Sequence, residues 1–400
     1  MPSPTTKRLH FLDTLRTIAI LVVFLFHCAR FFDADDWHVK NAITTTGATL
    51  FIISLVLWIM PLFFFISGGS SWFAIQKKSA AKFFTDRVKR IFIPLAFGCL
   101  VLALPQVYFE RVSHGAYQSS LINFIPHYFE GMYGFGGNFA WMGLHLWYLL
   151  LLFVFSCLLL PIFVVGKTKL KGSTIEKVIQ GPLAFILFPV LTFIPGFLLN
   201  PDHFIGFRVW GGWNLVEHLL FLLLGFLAFS GNDFIQNCKR YKIMFTVIGL
   251  AATSLIIYWY LAEQPAAFGT SFFALKVAIR SVACWMMISA ILGWSAQYLN
   301  LTGKRWSYSS EAVLPFYILH QTVIIILGYY IVQWNIPIVA KYSLIAFFSF
   351  ITIAALYDWV VRRTKVTRWL FGMMPVRKVA ASSLNTTSET RISSAIPIKT

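Results

Sequence analysis

The chain is 400 residues long, 58% of them hydrophobic and 18% aromatic, with only 12% charged and a mean hydropathy of +0.72. Soluble domains carry about 25% charged residues, so this composition excludes a water-soluble enzyme and predicts an all-α polytopic membrane protein. The net charge of +18 does not imply a nucleic-acid partner, because cytoplasmic loops of membrane proteins collect Lys and Arg.

Apolar runs of about 20 residues between polar breaks predict ten spans, near 12–32, 47–72, 91–109, 142–164, 181–199, 214–230, 243–262, 272–297, 312–333 and 339–361. The first is too long and too charged for a cleaved signal peptide, so it is kept as a span. With both termini cytoplasmic, the basic clusters around Lys77 to Arg90, Lys167 to Lys177, Lys239 to Lys242, Lys304 and the segment from Arg362 all fall inside. This predicts one transmembrane domain over 1–378 and a Ser/Thr-rich cytoplasmic tail over 379–400 that lacks the apolar content to pack. The five cysteines are scattered and odd in number, which gives neither a disulfide framework nor a metal-ligand spacing.

The first span holds Arg16 and His27. Eleven helical steps return to within about 20° of the starting face at a rise of about 1.5 Å each, so the two lie in one line about 16 Å apart. Intramembrane ionisable groups cost about 2.5–3.5 kcal/mol each and normally turn towards a partner or a watery cavity. The plainer alternative is an Arg16 that snorkels to the headgroups and a His27 satisfied within the core. Asp13, three residues before Arg16, is placed to orient it by an ion pair.

Next in order, the acidic and aromatic loop Asp33–Lys40 puts Trp37 on the outer side, either as an interfacial anchor or as an acceptor contact. The second span contains Met60-Pro61 and then Ser67-Gly68-Gly69, where Pro61 permits a kink and the small residues permit close approach. Arg87 and Arg90 share a helix face, and two guanidinium forks at one spot suit phosphate groups. The aromatic stretch 110–140 is the longest external loop, and His145-Leu-Trp147 after it is expected near the outer surface. Glu217 and His218 open the sixth span as either a hydrogen-bonded rim or part of an acceptor site. Arg280, about two turns inside the eighth span, should face the protein interior. Tyr317-Ile-Leu-His320 puts a histidine near mid-membrane in the ninth.

Taken together, Leu12-Asp13-x-Leu-Arg16 with His27, Phe-Ile-Ser67-Gly68-Gly69, Arg87-x-x-Arg90-Ile-Phe-Ile-Pro94, His145-Leu-Trp147-Tyr-Leu and Tyr317-Ile-Leu-His320 resemble the recurrent segments of the acyltransferase-3 family of integral membrane acyltransferases. That family moves acyl groups from cytoplasmic acyl-CoA to glycans or other acceptors outside the bacterial inner membrane. The resemblance implies a multi-pass O-acyltransferase with no permanently bound cofactor, no metal, and acetyl-CoA or succinyl-CoA as co-substrate. It implies His27 as general base or acyl carrier, with Arg16 and His320 beside it in the catalytic set. Arg16, Arg87, Arg90 and Asp13 would hold the CoA phosphates. His145, Trp147, Glu217, His218, Arg280 and Trp37 would face a glycan acceptor, and His320 or Arg280 would steady the oxyanion. Within the family, the chain looks most like a branch linked to succinylation of periplasmic glucans. The competing class is a secondary transporter of a small anionic or sugar-like solute, which would also show ten spans and buried charges.

Overall fold

The computed structural model describes residues 10–374, and among them there is no β-strand, only two isolated bridges between loop residues. The expected tail, 379–400, lies outside the described residues. Helix α1 spans His10–Ala29. Helices α2, Thr46–Val56, and α3, Ile59–Lys77, follow, with the Thr45 hydroxyl accepting from the Ala48 N–H to start the first of them. The interruption expected at Pro61 falls instead at Leu57–Trp58. Pro61 is the third residue of α3, where a backbone N–H has no intrahelical acceptor and its absence costs little.

Helix α4, Ala80–Ser113, runs through two π turns at Val88–Phe92 and Gly98–Leu102. Short α5, Leu121–Tyr128, lies in the long loop, and α6, Trp147–Leu158, bends by 56° into α7, Leu160–Lys169. A sharper 100° bend separates α8, Thr174–Gln180, from α9, Ala184–Leu198. Then come α10, Leu215–Ala228; α11, Asp233–Leu261; α12, Ser271–Tyr298; α13, Lys304–Ile331; and α14, Ile338–Leu356. Seven of the described helical segments are long and apolar enough to cross a membrane, or up to nine if each bent pair is one span. The expected sixth span is α10, whose 14 residues fall short of the roughly 20 needed for a full crossing.

Helix α1 packs along α13 and also touches α2, α3, α12 and α14, so the line carrying Arg16 and His27 is enclosed by other helices. Helix α10 packs along α3 where Gly68 faces the backbone of Leu222 to Phe226 and Gly225 faces the backbone of Phe65. A methyl group added at Gly68 would come within 2.6 Å of the Phe226 nitrogen and 2.9 Å of the Gly225 carbonyl carbon. Gly68→Ala should therefore destabilise the protein by about 1–3 kcal/mol through overpacking. Thermal unfolding in detergent checks this, and an unchanged midpoint would mean the helices separate freely.

Candidate active site

Three histidines from distant parts of the chain meet inside the bundle. The His320 Nε2 atom lies 3.3 Å from Nδ1 of His27, and the two rings are edge-on at 4.9 Å. The His145 ring sits 5.0 Å from His320 on the other side. Backbone carbonyls fix the tautomers, because a carbonyl oxygen can only accept. His27 donates its Nδ1–H to Val23 at 2.8 Å, and His320 donates its own Nδ1–H to Tyr317 at 2.5 Å. In the neutral rings this leaves Nε2 as the basic nitrogen of His27, while the unprotonated Nε2 of His320 lies 3.3 Å from the Nδ1 whose hydrogen goes to Val23. A neutral His320 held this way has no proton for an oxyanion. It is placed to support charge on His27 instead.

His145, expected near the outer surface, is packed into the protein at 6% exposure and lies against His320 and Tyr317. The cause is local. A tight turn places Gly143 at φ +71° and Leu144 at +54°, a conformation that side chains rarely adopt, and it tucks the following residue inward. The Tyr317 hydroxyl donates to the His145 carbonyl at 2.5 Å and holds the turn there.

A cavity of about 310 Å³ lies between α1, α3, α4, α6 and α13. At the end where α1 begins and α3 finishes it is lined by Arg16, Arg87, Arg90 and Lys78. Arg16 donates to Ser70, lies 3.6 Å from Asp13, and so has the ion pair that the sequence spacing predicts. Arg87 donates to Ser71 at 2.6 Å and rests over the Phe83 ring, while Arg90 stands exposed at the mouth. Towards the interior the walls become Ile20, Phe63, Tyr148, Leu152, Val23 and Tyr317. Val23 and Tyr317 are the residues whose carbonyls orient His27 and His320. Ser70, Ser71 and Tyr148 were not anticipated. The two serines continue the face of Ser67 at three and four residues' distance, and that spacing was a readable signal.

On the far side Trp37 lies 6.3 Å from the His27 ring and edge-on to Phe31. Its loop is latched to α4. The His38 ring bonds the Glu110 carboxylate, which also accepts from the Tyr133 hydroxyl at 2.8 Å. Arg111 ties the same region to Asn138 and Gly137. Burial, together with the neighbouring Glu110 carboxylate, pushes the Tyr133 phenol well above its ordinary pKa, so it remains a hydrogen-bond donor.

The structure does not bring Glu217, His218 and Arg280 to His27. Glu217 is fully buried, closes a capping box with Asn214 and pairs with Arg280, which stacks on Trp213. His218, also fully buried, bonds the Trp210 carbonyl at 2.7 Å and packs against Trp147. Glu217, His218 and Arg280 tie the bundle together at a distance from His27, with the guanidinium of Arg280 engaged by Glu217 and the Gly212 carbonyl.

Comparison with known proteins gives this arrangement a setting. The chain is 26% identical over 350 residues to the glucans biosynthesis protein C of Escherichia coli strain SMS-3-5 / SECEC, and 25% identical to that of strain K12. Each alignment covers 81% of this chain and 84% of the relative. No solved structure matches. The acyltransferase-3 model, described as an acyltransferase domain, matches residues 9–359 and so takes in the basic basin, the histidine cluster and the latched outer loop alike. A multi-pass helical protein built around these features belongs to the acyltransferase-3 family and is an O-acyltransferase.

Proposed function

We propose that the protein takes an acyl group, acetyl or succinyl, from acyl-CoA at the Arg16 end of the cavity and transfers it to a hydroxyl of a glycan on the Trp37 side of the histidine pair. The observation that carries this reading is how far the cavity reaches from the arginines towards the histidine pair. Three arginines stand at its mouth, and its inner wall is made by the two residues that orient the histidine pair. Guanidinium groups suit the CoA phosphates, and an apolar bore suits the pantetheine arm and its thioester. The name of the relatives and the basic loops support a glycan acceptor outside the cytoplasmic membrane, with the Arg16 end inside.

In this mechanism Nε2 of His27 removes the proton from the acceptor hydroxyl as its oxygen attacks the thioester carbonyl. The tetrahedral intermediate then expels the CoA thiolate as the carbon–sulfur bond breaks, and the His27 imidazolium returns the proton to the sulfur. The unprotonated Nε2 of His320, 3.3 Å from Nδ1 of His27, lies beside the imidazolium between the two steps and steadies it. Trp37 offers the acceptor sugar an apolar face within reach of the base.

The test is radiolabelled acyl transfer, or slow CoA release, from acetyl-CoA and succinyl-CoA by purified protein in liposomes. Arg87→Ala should raise KM for the thioester about tenfold or more while leaving kcat nearly intact, as expected for loss of a charge-assisted phosphate contact. An unchanged KM would remove the arginine basin from donor binding. Absence of thioester consumption by the wild type would overturn the function itself.

A further inference from the structure

A second cleft, of about 430 Å³, opens at the same end of the bundle as the arginine basin, between the start of α1, the end of α3, the start of α11 and the end of α12. Its size falls in the range of small-molecule sites. The floor is aromatic, with Phe73 and Phe229 set edge to face at 6.2 Å. The edge is a set of amides with one cation. Asn232 sits at the N-cap of α11 but its side chain makes no capping bond, and Gln236 follows one turn later. Asn300 donates to the Ala296 carbonyl at 3.0 Å, which leaves its own side-chain carbonyl as an acceptor. Lys239 completes the edge and has no ion-pair partner among the described residues.

The relation of this cleft to the basin suggests its ligand. Phe73 and Ala74 are consecutive on α3, and one lines each cavity. On α1, His10 at the cleft precedes Arg16 at the basin by six residues, or about 9 Å along the helix axis. A ligand whose diphosphate lies at Arg16 can therefore carry its next unit around α1 and into the cleft. Aromatic faces stack on a purine, paired amide donors and acceptors match its edge, and a lone ammonium suits a phosphate monoester. We infer that this cleft seats the 3′-phosphoadenosine end of acyl-CoA, with Phe73, backed by the buried Phe229, against the base, Asn232, Gln236 and Asn300 along its edge, and Lys239 on the 3′-phosphate. The inference rests on the acyl-CoA reading above and divides the donor between two sites, the basin for the diphosphate and pantetheine and the cleft for the nucleotide.

Donor truncation tests this on the full chain in liposomes. KM is measured for an acyl-CoA and for the same acyl group on 4′-phosphopantetheine, which lacks the nucleotide, and binding of adenosine 3′,5′-bisphosphate is followed by calorimetry. Gln236 is exposed and Lys239 half-buried, so Gln236→Ala and Lys239→Gln should leave folding unaffected. Each should raise KM for acyl-CoA about fivefold to twentyfold, leave KM for the truncated donor unchanged, and weaken the bisphosphate about tenfold. Arg87→Ala should raise KM for both donors. A wild type that uses thioesters but whose cleft variants move both donors equally, or neither, overturns the nucleotide site and leaves the donor reading intact. Loss of co-purified phospholipid from the variants with unaltered donor kinetics assigns the cleft to a lipid headgroup and also overturns it. A wild type that neither consumes thioester nor binds the bisphosphate overturns both.

Discussion

His27→Gln should lower kcat by about 10²–10⁴-fold, the usual contribution of a positioned general base, and leave KM for the donor close to that of the wild type. Glutamine is chosen because its amide can still donate towards the Val23 carbonyl and fill similar space, which isolates the chemistry from packing. The basin that holds the donor shares Val23 and Tyr317 with the histidine pair but does not include His27 itself, so affinity and turnover should separate. His320→Gln should cost less, since it acts on the substrate only through His27. Single-turnover acyl transfer, with expression and thermal midpoint as controls, measures both. A His27→Gln enzyme within threefold of wild type would remove this histidine from catalysis.

Glu217→Ala should destabilise the protein by about 3–5 kcal/mol, the largest loss of stability expected from a single change in the frame. Two effects act together. The carboxylate is the partner of Arg280, whose side chain is only 12% exposed, so its removal leaves a buried cation uncompensated. It also accepts the Asn214 N–H at 2.8 Å, and without it the capping box of α10 opens. The double change Glu217→Ala with Arg280→Met should recover much of the loss, because no unpaired charge then remains. Thermal unfolding in detergent reads both variants. A single variant as stable as wild type would show that Arg280 finds another partner, and protein that does fold should keep its donor KM.

What could be read from the sequence was whatever local periodicity encodes. The alignment of Asp13, Arg16 and His27 along one helix and the neighbouring arginines 87 and 90 follow from helical spacing alone; the basin gathers Arg16, Arg87 and Arg90, and Asp13 pairs with Arg16 beside it. The meeting of His27 with His320 joins positions 293 residues apart, and no repeat in the chain announces it. The inward packing of His145 against His320 depends on the backbone turn at Gly143 and Leu144, which composition does not reveal. Glu217 is a different case. Asn214-x-x-Glu217 is a readable helix-start pattern, and weighing the glutamate first as a cap would have placed it in the frame.

The distance between Arg16 and His27 also has an electrical meaning. About 16 Å of helix is roughly half of the ~30 Å hydrocarbon thickness, so in the proposed transfer the acyl group would cross a large part of the membrane field while the phosphates stay behind. An acetyl group carries no charge through that drop. A succinyl group carries one negative charge, and with about 2.3 kcal/mol available per charge per 100 mV across the whole membrane, half the drop contributes about 1 kcal/mol. An inside-negative voltage pushes that charge outward. For a dicarboxylic acyl group the resting potential of the cell would act as a driving force on transfer, and for a neutral one it would not.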